Sequence, residues 1–139
     1  MHGPTVAPPL TDQPVTSSSF VIAEWRDPGS PPGPPRYIAP WHLHHNDDEA
    51  WYVVEGVLRI QRDNEQIELN AGSAAIVSRG TPHTYWNPNA TPTRYVLIMT
   101  PKIHQLIQAI HAASHRSPSA LSALFAHYDS ELLPSPSFL

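Results

Sequence analysis

His42 and His44 are separated by one residue, and Glu49 follows five residues after the second histidine. On an extended strand, residues i and i+2 face the same side, so both imidazoles can be directed at one point. Residues 46–48, Asn-Asp-Asp, favour a turn that would bring Glu49 back to that point. Imidazole and carboxylate together suit one divalent transition metal, and these residues leave open iron, manganese, nickel, zinc, cobalt and copper.

A second stretch, residues 72–87, adds another histidine, and together the two stretches resemble the paired motifs of the cupin superfamily. The first cupin motif is His-x-His, four residues, Glu, six residues, Gly, and the chain matches it at His42, His44, Glu49 and Gly56. The second is Gly, five residues, Pro-x-Gly, two residues, His, three residues, Asn, and the chain matches it at Gly72, Gly80, His83 and Asn87. Two motifs in order are far more specific than either alone.

The chain departs from the cupin pattern at two positions, neither of which is a ligand. Arg36 stands where the first motif usually opens with glycine, and Ser78 replaces the proline of the second motif. The resemblance covers roughly residues 36–100 and implies a small, single-domain, quercetinase-like cupin. It also implies which residues bind the metal, namely His42, His44, Glu49 and His83.

His45 is the alternative ligand in the first motif. It alternates out of phase with His42 and His44, so a regular strand would direct it away from the metal. A register slip of one residue would exchange the two faces and make His45 a ligand instead.

The elements that must position these residues are predicted to be short strands. Alternating or apolar runs, separated by Gly, Pro and Asn, predict strands at 19–25, 36–40, 50–54, 57–62, 66–69, 74–77, 82–86 and 94–100. This spacing indicates an all-β sandwich or barrel. The cupin resemblance narrows it to a double-stranded β-helix, or jelly roll, with the metal inside one end.

The end of the chain changes to a helical pattern. Pro101 suits the first position of a helix, and an apolar stripe follows at Ile103, Leu106, Ile107 and Ile110. A second stripe on the same helix, His104, Gln108, His111 and His115, is better explained as a solvated face than as a metal site. A second helix is predicted with Ser117 as its cap and Pro118 as its first residue; its apolar face comprises Leu121, Leu124, Phe125, Tyr128 and Leu132, and Pro134 ends it.

These patterns divide the chain into four segments. Ten of the 17 prolines fall within the first 40 residues, which argues against continuous helix there. We predict a flexible Pro-rich segment at 1–18, the cupin barrel at 19–100, a helical extension at 101–133 and a tail at 134–139. The two helices would pack outside the barrel or contribute to a dimer interface.

The composition gives no indication of nucleic-acid or membrane binding. The formal net charge is -4, and the few cationic residues are scattered. There is no cysteine, no secretory signal pattern and no apolar run near the ~20 residues that span a bilayer. We therefore expect a cytoplasmic protein whose partners are a small molecule and a second copy of itself.

Two aromatic residues are candidates for the substrate pocket. Trp51 alternates in phase with Glu49, and Tyr85 in phase with His83, although core packing is the stronger expectation for any single aromatic. An apolar pocket with a metal at its base suits a small aromatic or enolisable substrate. Glu49 is the candidate catalytic base, but a metal-bound carboxylate has a depressed pKa, which limits that role.

The preferred interpretation is a metal-dependent, dioxygenase-like enzyme. The alternatives are a non-catalytic, metal-dependent binding protein and a cupin isomerase or decarboxylase, because a fold does not determine a reaction. We also predict a homodimer in which the extended N-terminal segment covers a strand edge. The alternative is that residues 1–40 fold back on their own barrel.

Overall fold

The computed structural model describes residues 14–139 and confirms an all-β fold followed by two helices. The elements in order are β1 (Val15–Thr16), β2 (Val21–Asp27), β3 (His42–His44), β4 (Glu49–Glu55), β5 (Val57–Arg62), β6 (Glu65–Asn70), β7 (Ala74–Val77), β8 (His83–Trp86), β9 (Thr93–Met99), α1 (Pro101–Ala112), α2 (Pro118–His127) and β10 (Ser130–Leu132). None of the helices in this part of the chain is long and apolar enough to cross a membrane.

The strands form two five-stranded antiparallel sheets with jelly-roll topology. The first sheet has the order β1-β2-β9-β4-β7, and the second has the order β10-β3-β8-β5-β6. Side chains alternate between the two faces of each strand, so one face of each sheet contributes to the core. Trp51 and Val53 of the first sheet and Leu58 and Ile60 of the second are fully buried in that core.

Gly56 allows the chain to cross from the first sheet to the second between β4 and β5. Its φ of +85° lies in the left-handed region. A side chain would also place a Cβ atom 2.5 Å from Oγ1 of Thr93. That hydroxyl is committed to β5, because it accepts a hydrogen bond from the Val57 amide at 3.0 Å and donates one to the Val57 carbonyl at 2.7 Å. Only glycine fits this crossing.

The predicted strand at 36–40 does not form. The segment makes one isolated bridge, between Tyr37 and Trp86, and one further backbone bond, from the Ile38 amide to the Tyr85 carbonyl. Pro35 precedes the segment and Pro40 ends it, and neither residue offers an amide hydrogen to a ladder. The paired strand at this place is β3, which begins at His42.

The starts of both helices are confirmed, but the predicted end of the second is wrong. Pro101 and Pro118 are the first residues of α1 and α2, and Ser117 caps α2 as predicted. The second helix ends at His127 instead of continuing through Leu132. Asp129 has a φ of +54°, which breaks the helix, and the chain then pairs as β10 along the free edge of β3.

The N-terminal segment is described only in part. Residues 1–13 of the segment predicted to be flexible lie outside the described residues. Within its remainder, Val15–Thr16 form β1, which pairs with β2 of the same chain and lies at the edge of the first sheet.

Candidate metal centre

The four motif residues converge inside the barrel. One potential ligand atom from each of His42, His44, Glu49 and His83 lies within 4.8 Å of all the others, and all four residues are buried. His42 and His44 occupy alternate positions of β3, and His83 is the direct register partner of His42 on β8. Glu49 begins β4 of the facing sheet. The site is therefore assembled between the two sheets.

The outer nitrogen of two imidazoles donates to the backbone. Nδ1 of His42 lies 2.6 Å from the carbonyl oxygen of Pro40, and Nδ1 of His83 lies 2.9 Å from that of Thr81. A carbonyl oxygen can only accept, so each Nδ1 carries the hydrogen. In the neutral ring Nε2 then has a free lone pair, as a metal ligand requires.

A serine from the C-terminal strand fixes the third imidazole. Nδ1 of His44 lies 2.7 Å from Oγ of Ser130, which in turn donates to the carbonyl of Tyr128 at 3.2 Å. Because the serine hydrogen is used there, Oγ accepts from Nδ1–H, and His44 has the same tautomer as the other two. Ser130 was not among the predicted site residues, since the apolar pattern around it is typical of a helix.

The four inner atoms are all electron-pair donors, and their spacing fits a bound cation. Nε2 of His42 and Nε2 of His44 are 3.3 Å apart, while Oε1 of Glu49 lies 3.1 Å from Nε2 of His83 and 3.3 Å from Nε2 of His44. Facing lone pairs repel one another unless a positive charge lies between them. A divalent metal or added ring protons would supply that charge, and imidazole nitrogen with carboxylate oxygen suits the metals considered above.

The charges of the buried groups agree with metal binding at neutral pH. Burial, together with the neighbouring His83 and His44 rings, lowers the pKa of His42 well below its usual value, so its ring is neutral. Burial alone would raise the pKa of Glu49, but in the metal-free site the adjacent His44 and His83 rings, when they also carry a proton on Nε2, outweigh it and hold that pKa far below the usual range. Glu49 is therefore a carboxylate, a good ligand but a weak base.

A cavity of about 140 Å³ opens beside the ligands. The barrel contributes Trp25, Tyr85, Tyr95 and Leu97 to its wall, together with the candidate ligands His42, His44 and Glu49. The apolar stripe of α1 supplies the opposite wall, through Ile103, Leu106, Ile107 and Ile110. The C-terminal helices thus contribute to the site, a role that the sequence did not predict.

The two predicted pocket aromatics occupy different positions. Tyr85 lines the cavity. Trp51 is fully buried and packs behind the wall, with its ring centroid 5.3 Å from that of Tyr85 and 5.8 Å from that of His83. Phe125 of α2, for which the sequence predicted only helix packing, also reaches the site and lies 5.4 Å from the His42 ring.

The other histidines within residues 14–139 do not join the cluster. His45 points away from it, is half exposed and lies 3.4 Å from Glu131. Along α1, His111 lines the cavity and stacks edge-on against Trp25. No second group of three or more potential ligands converges within residues 14–139, so the second stripe of α1 is not a metal site there.

Comparison with known proteins identifies the same domain. A family model described as "Cupin domain" matches residues 33–99. The tetracenomycin polyketide synthase protein TcmJ from Streptomyces glaucescens is 27% identical over 95 residues, which cover 68% of this chain and 52% of TcmJ. The chain therefore spans about half the length of this curated relative.

Solved structures show the same fold at low sequence identity. A protein from Thermus thermophilus is 24% identical and has a TM-score of 0.54. The match covers 63% of this chain and 79% of the Thermus protein. A cupin from Bacteroides fragilis is 16% identical and has a TM-score of 0.53. The match covers 74% of this chain and 75% of the Bacteroides protein. A sugar phosphate isomerase from Silicibacter pomeroyi is 22% identical and has a TM-score of 0.51. The match covers 60% of this chain and 51% of the isomerase. Residues 33–99 of this chain therefore form a cupin domain, in agreement with the double-stranded β-helix, the two motifs and the converging histidines and glutamate.

Proposed function

We propose that this protein is a metal-dependent enzyme acting on a small aromatic or enolisable molecule, most simply a dioxygenase. The observation that carries the proposal is the set of four facing donor atoms at the base of an apolar cavity. A bound metal would be held by His42, His44, Glu49 and His83, and would bring together a substrate oxygen and dioxygen. In such a reaction both oxygen atoms enter the product, so no separate reductant is consumed.

The residues of the chain would chiefly bind the substrate and exclude water. The stripe of α1 and Leu97 offer an apolar surface to a ring. The volume of about 140 Å³ is close to that of engineered cavities of about 150 Å³ that bind benzene, which favours one ring over several. Catechols and β-diketones therefore fit better than three-ring flavonols.

Tyr85 and Trp51 would have unequal parts in this function. Tyr85 is the better candidate for contact with substrate, because it belongs to the cavity wall. Trp51 would support the rings of Tyr85 and His83 from behind. Glu49 would act first as a ligand and only secondarily as a base, because its pKa is held low.

A sugar phosphate isomerase is the less favoured enzyme class for this chain. A phosphate group in a buried site needs cationic side chains to balance its charge. No lysine or arginine lines this cavity within the described residues. A non-catalytic, metal-dependent binding protein would use the same ligands and the same apolar wall, so activity has to be measured to separate it from the enzyme.

The test begins with elemental analysis of protein purified without added metal. The protein is then loaded in turn with iron, manganese, nickel, cobalt, copper and zinc, and oxygen consumption is followed with catechols and β-diketones. Consumption with a redox-active metal, lost in the His42→Ala/His83→Ala variant, is expected. Tight, reversible binding of these compounds without consumption under any metal would instead identify a binding protein.

We further propose that the protein forms a homodimer through the outer face of its first sheet. Ala50 of β4 has Ile76 of β7 and Ile98 of β9 as its register partners, so the three side chains are neighbours on one face. Ile76 is 61% exposed, and Tyr52 and Val54 extend the apolar surface along β4. Contiguous exposed apolar surface of this kind is typical of interaction sites.

A dimer through this face does not require the N-terminal segment to cover a strand edge of the second copy, which was the basis of the dimer predicted from the sequence. β1 covers an edge within its own chain, which supports the alternative in which that part folds back.

Light scattering is expected to give a mass of twice 15.4 kDa, and Ile76→Glu should reduce this mass to that of one copy. Phe138→Glu is the control, because Phe138 is equally apolar and 54% exposed but packs against Trp41, away from this face. A single-copy mass for the unaltered protein at micromolar concentrations would contradict the dimer.

A further inference from the structure

The part of the cavity away from the metal ligands contains two aromatic residues with polar hydrogens. Trp25 of β2 and Tyr95 of β9 are direct register partners, and both line the cavity. Met99 of the same strand is the register partner of Glu49. Tyr95 lies four positions before Met99 on β9, which corresponds to about 13 Å of backbone. The Trp25–Tyr95 part of the cavity wall is therefore offset along the strands from the level of Glu49.

The indole of Trp25 provides the first donor in this region. Its Nε1 atom is buried and, like that of Trp51 behind the wall, has no hydrogen-bond partner in the described part of the chain, but Trp25 is the one of the two that lines the cavity. A buried N–H group without an acceptor is costly, and such groups are rare in folded proteins. A ligand oxygen in the adjoining cavity would satisfy it.

The hydroxyl pair of Tyr85 and Tyr95 provides the second donor. The two oxygens lie 3.3 Å apart, and neither hydroxyl donates to any other group within residues 14–139. Two hydroxyls carry two hydrogens, and one mutual bond uses one of them. Burial raises the pKa of both tyrosines above the usual value, so both remain protonated at neutral pH. One O–H group is thus left to donate to a ligand.

The charge of the cavity wall restricts the ligand further. Its ionisable residues are the three metal-site residues His42, His44 and Glu49, the two tyrosines and the exposed His111 at the rim. The nearest arginine along β9, Arg94, is turned outward and pairs with Glu24 and Glu55. A wall of apolar side chains and neutral donors disfavours an anionic group away from the metal.

We infer that Trp25 and Tyr95 form a recognition site for an acceptor oxygen on an uncharged, single-ring ligand. The ligand class then carries two oxygen functions, an enol or phenol oxygen at the metal end and a carbonyl or ether oxygen at the Trp25–Tyr95 end. This inference rests on the proposed function only for the first oxygen. It makes Trp25 and Tyr95 specificity-determining residues, which no sequence motif indicated.

The test compares two matched compounds by calorimetric titration of zinc-loaded protein, in which turnover with oxygen does not interfere. 4-Hydroxybenzaldehyde carries the second oxygen, and 4-methylphenol lacks it. We expect the aldehyde to bind about 10-fold more tightly, as is usual when a buried donor gains a partner. Tyr95→Phe and Trp25→Phe should each remove most of this preference, because each lowers the affinity for the aldehyde more than the affinity for 4-methylphenol.

The control is Tyr52→Phe, which deletes an equivalent hydroxyl from the exposed outer face of β4 and should alter neither affinity. Zinc content and melting temperature establish that each variant is folded. Equal binding of the two compounds, equal losses for both compounds in Tyr95→Phe, or preferential binding of glucose 6-phosphate would overturn the inference. Absence of bound zinc would contradict the proposed function, and the aldehyde preference of the metal-free protein would still decide this inference.

Discussion

The motif strands and the C-terminal segment contribute to the same site in different ways. Strands β3, β4 and β8 supply all four potential metal ligands. The segment formed by α1, α2 and β10 supplies none, yet its Ser130 accepts from the His44 ring and its Phe125 packs against the His42 ring. The stripe of α1 closes one side of the cavity. The candidate ligands and the residues that support them therefore come from separate parts of the chain.

The difference shows that a complete ligand set does not by itself give a complete site. The His44 ring is held by a residue 86 positions away, through a strand that exists only because it pairs with β3. Supporting partners of this kind orient imidazoles and typically alter metal affinity by about 10- to 100-fold. If this division is correct, changes in the two regions should have separable effects on metal and ligand binding.

The largest effect is expected when ligands are removed from the motif strands. The His42→Ala/His83→Ala variant deletes two of the four facing donor atoms, so stoichiometric metal binding should be abolished. Elemental analysis after dialysis measures this directly. The matched control is His45→Ala, which removes the adjacent but outward-facing imidazole and should retain full metal content. Stoichiometric metal in the double variant would show that the site lies elsewhere.

Replacing the carboxylate should have the next largest effect. Glu49→Gln keeps an oxygen near the histidines but removes the negative charge that balances a buried cation. We expect metal affinity, measured by competition with a chelating dye, to fall by more than the roughly 100-fold seen for supporting partners. Activity measured at saturating metal separates the two roles. Unchanged turnover there would exclude Glu49 as a catalytic base and leave it as a ligand alone.

The sequence predicted the motif half of this comparison much better than the other half. His42, His44, Glu49 and His83 are recognisable because alternation along a strand and fixed spacings are local properties. The end of α2 was mispredicted because Tyr128 and Leu132 continue a helical apolar pattern. Asp129 nevertheless adopts a positive φ, and β10 gains a full set of partners on β3. Such pairing depends on a distant free strand edge, which no local pattern records.

The cavity was predictable only in part for the same reason. In-phase alternation correctly directed Trp51 and Tyr85 into the barrel, but it could not distinguish the cavity wall from the layer behind it. Trp25 and Tyr95 meet because β2 and β9, which are about 70 residues apart in sequence, are neighbours in the first sheet. The stripe on α1 was correctly identified, whereas the surface it covers depended on how the helix packs.

A smaller effect is expected when the support of one ligand is removed. Ser130→Ala deletes the acceptor of the His44 Nδ1–H group while leaving all four ligands in place. Metal affinity should fall by about 10- to 100-fold, with the stoichiometry at saturation unchanged. Ser130→Thr keeps a hydroxyl, suits a strand position and should restore most of the affinity.

The control for Ser130 is Ser122→Ala, because Ser122 lies on α2, is exposed and does not contact the site. This variant should bind metal as tightly as the unaltered protein. Equal affinities for Ser130→Ala and the unaltered protein would mean that β10 only packs against β3. The C-terminal segment would then form part of the cavity wall but would not orient the His44 ring.

The smallest effect is expected from trimming the α1 wall. Ile107 lines the cavity and is partly buried, so Ile107→Ala should cost only about 1–2 kcal/mol of unfolding free energy, below the range for fully buried positions. The lost side chain should leave room for part of a second ring. Affinity for 2-naphthol relative to phenol should therefore rise several-fold in zinc-loaded protein, since each additional buried CH₂-sized group contributes about 0.8 kcal/mol. Zinc affinity itself should not change, because Ile107 belongs to the cavity wall and offers no ligand atom. Ile76→Ala on the outer face provides the comparison, since it removes the same atoms from a site remote from the cavity and should leave the naphthol-to-phenol ratio unaltered. If Ile107→Ala lowered zinc affinity as much as Ser130→Ala, wall and support could not be separate functions of the C-terminal segment.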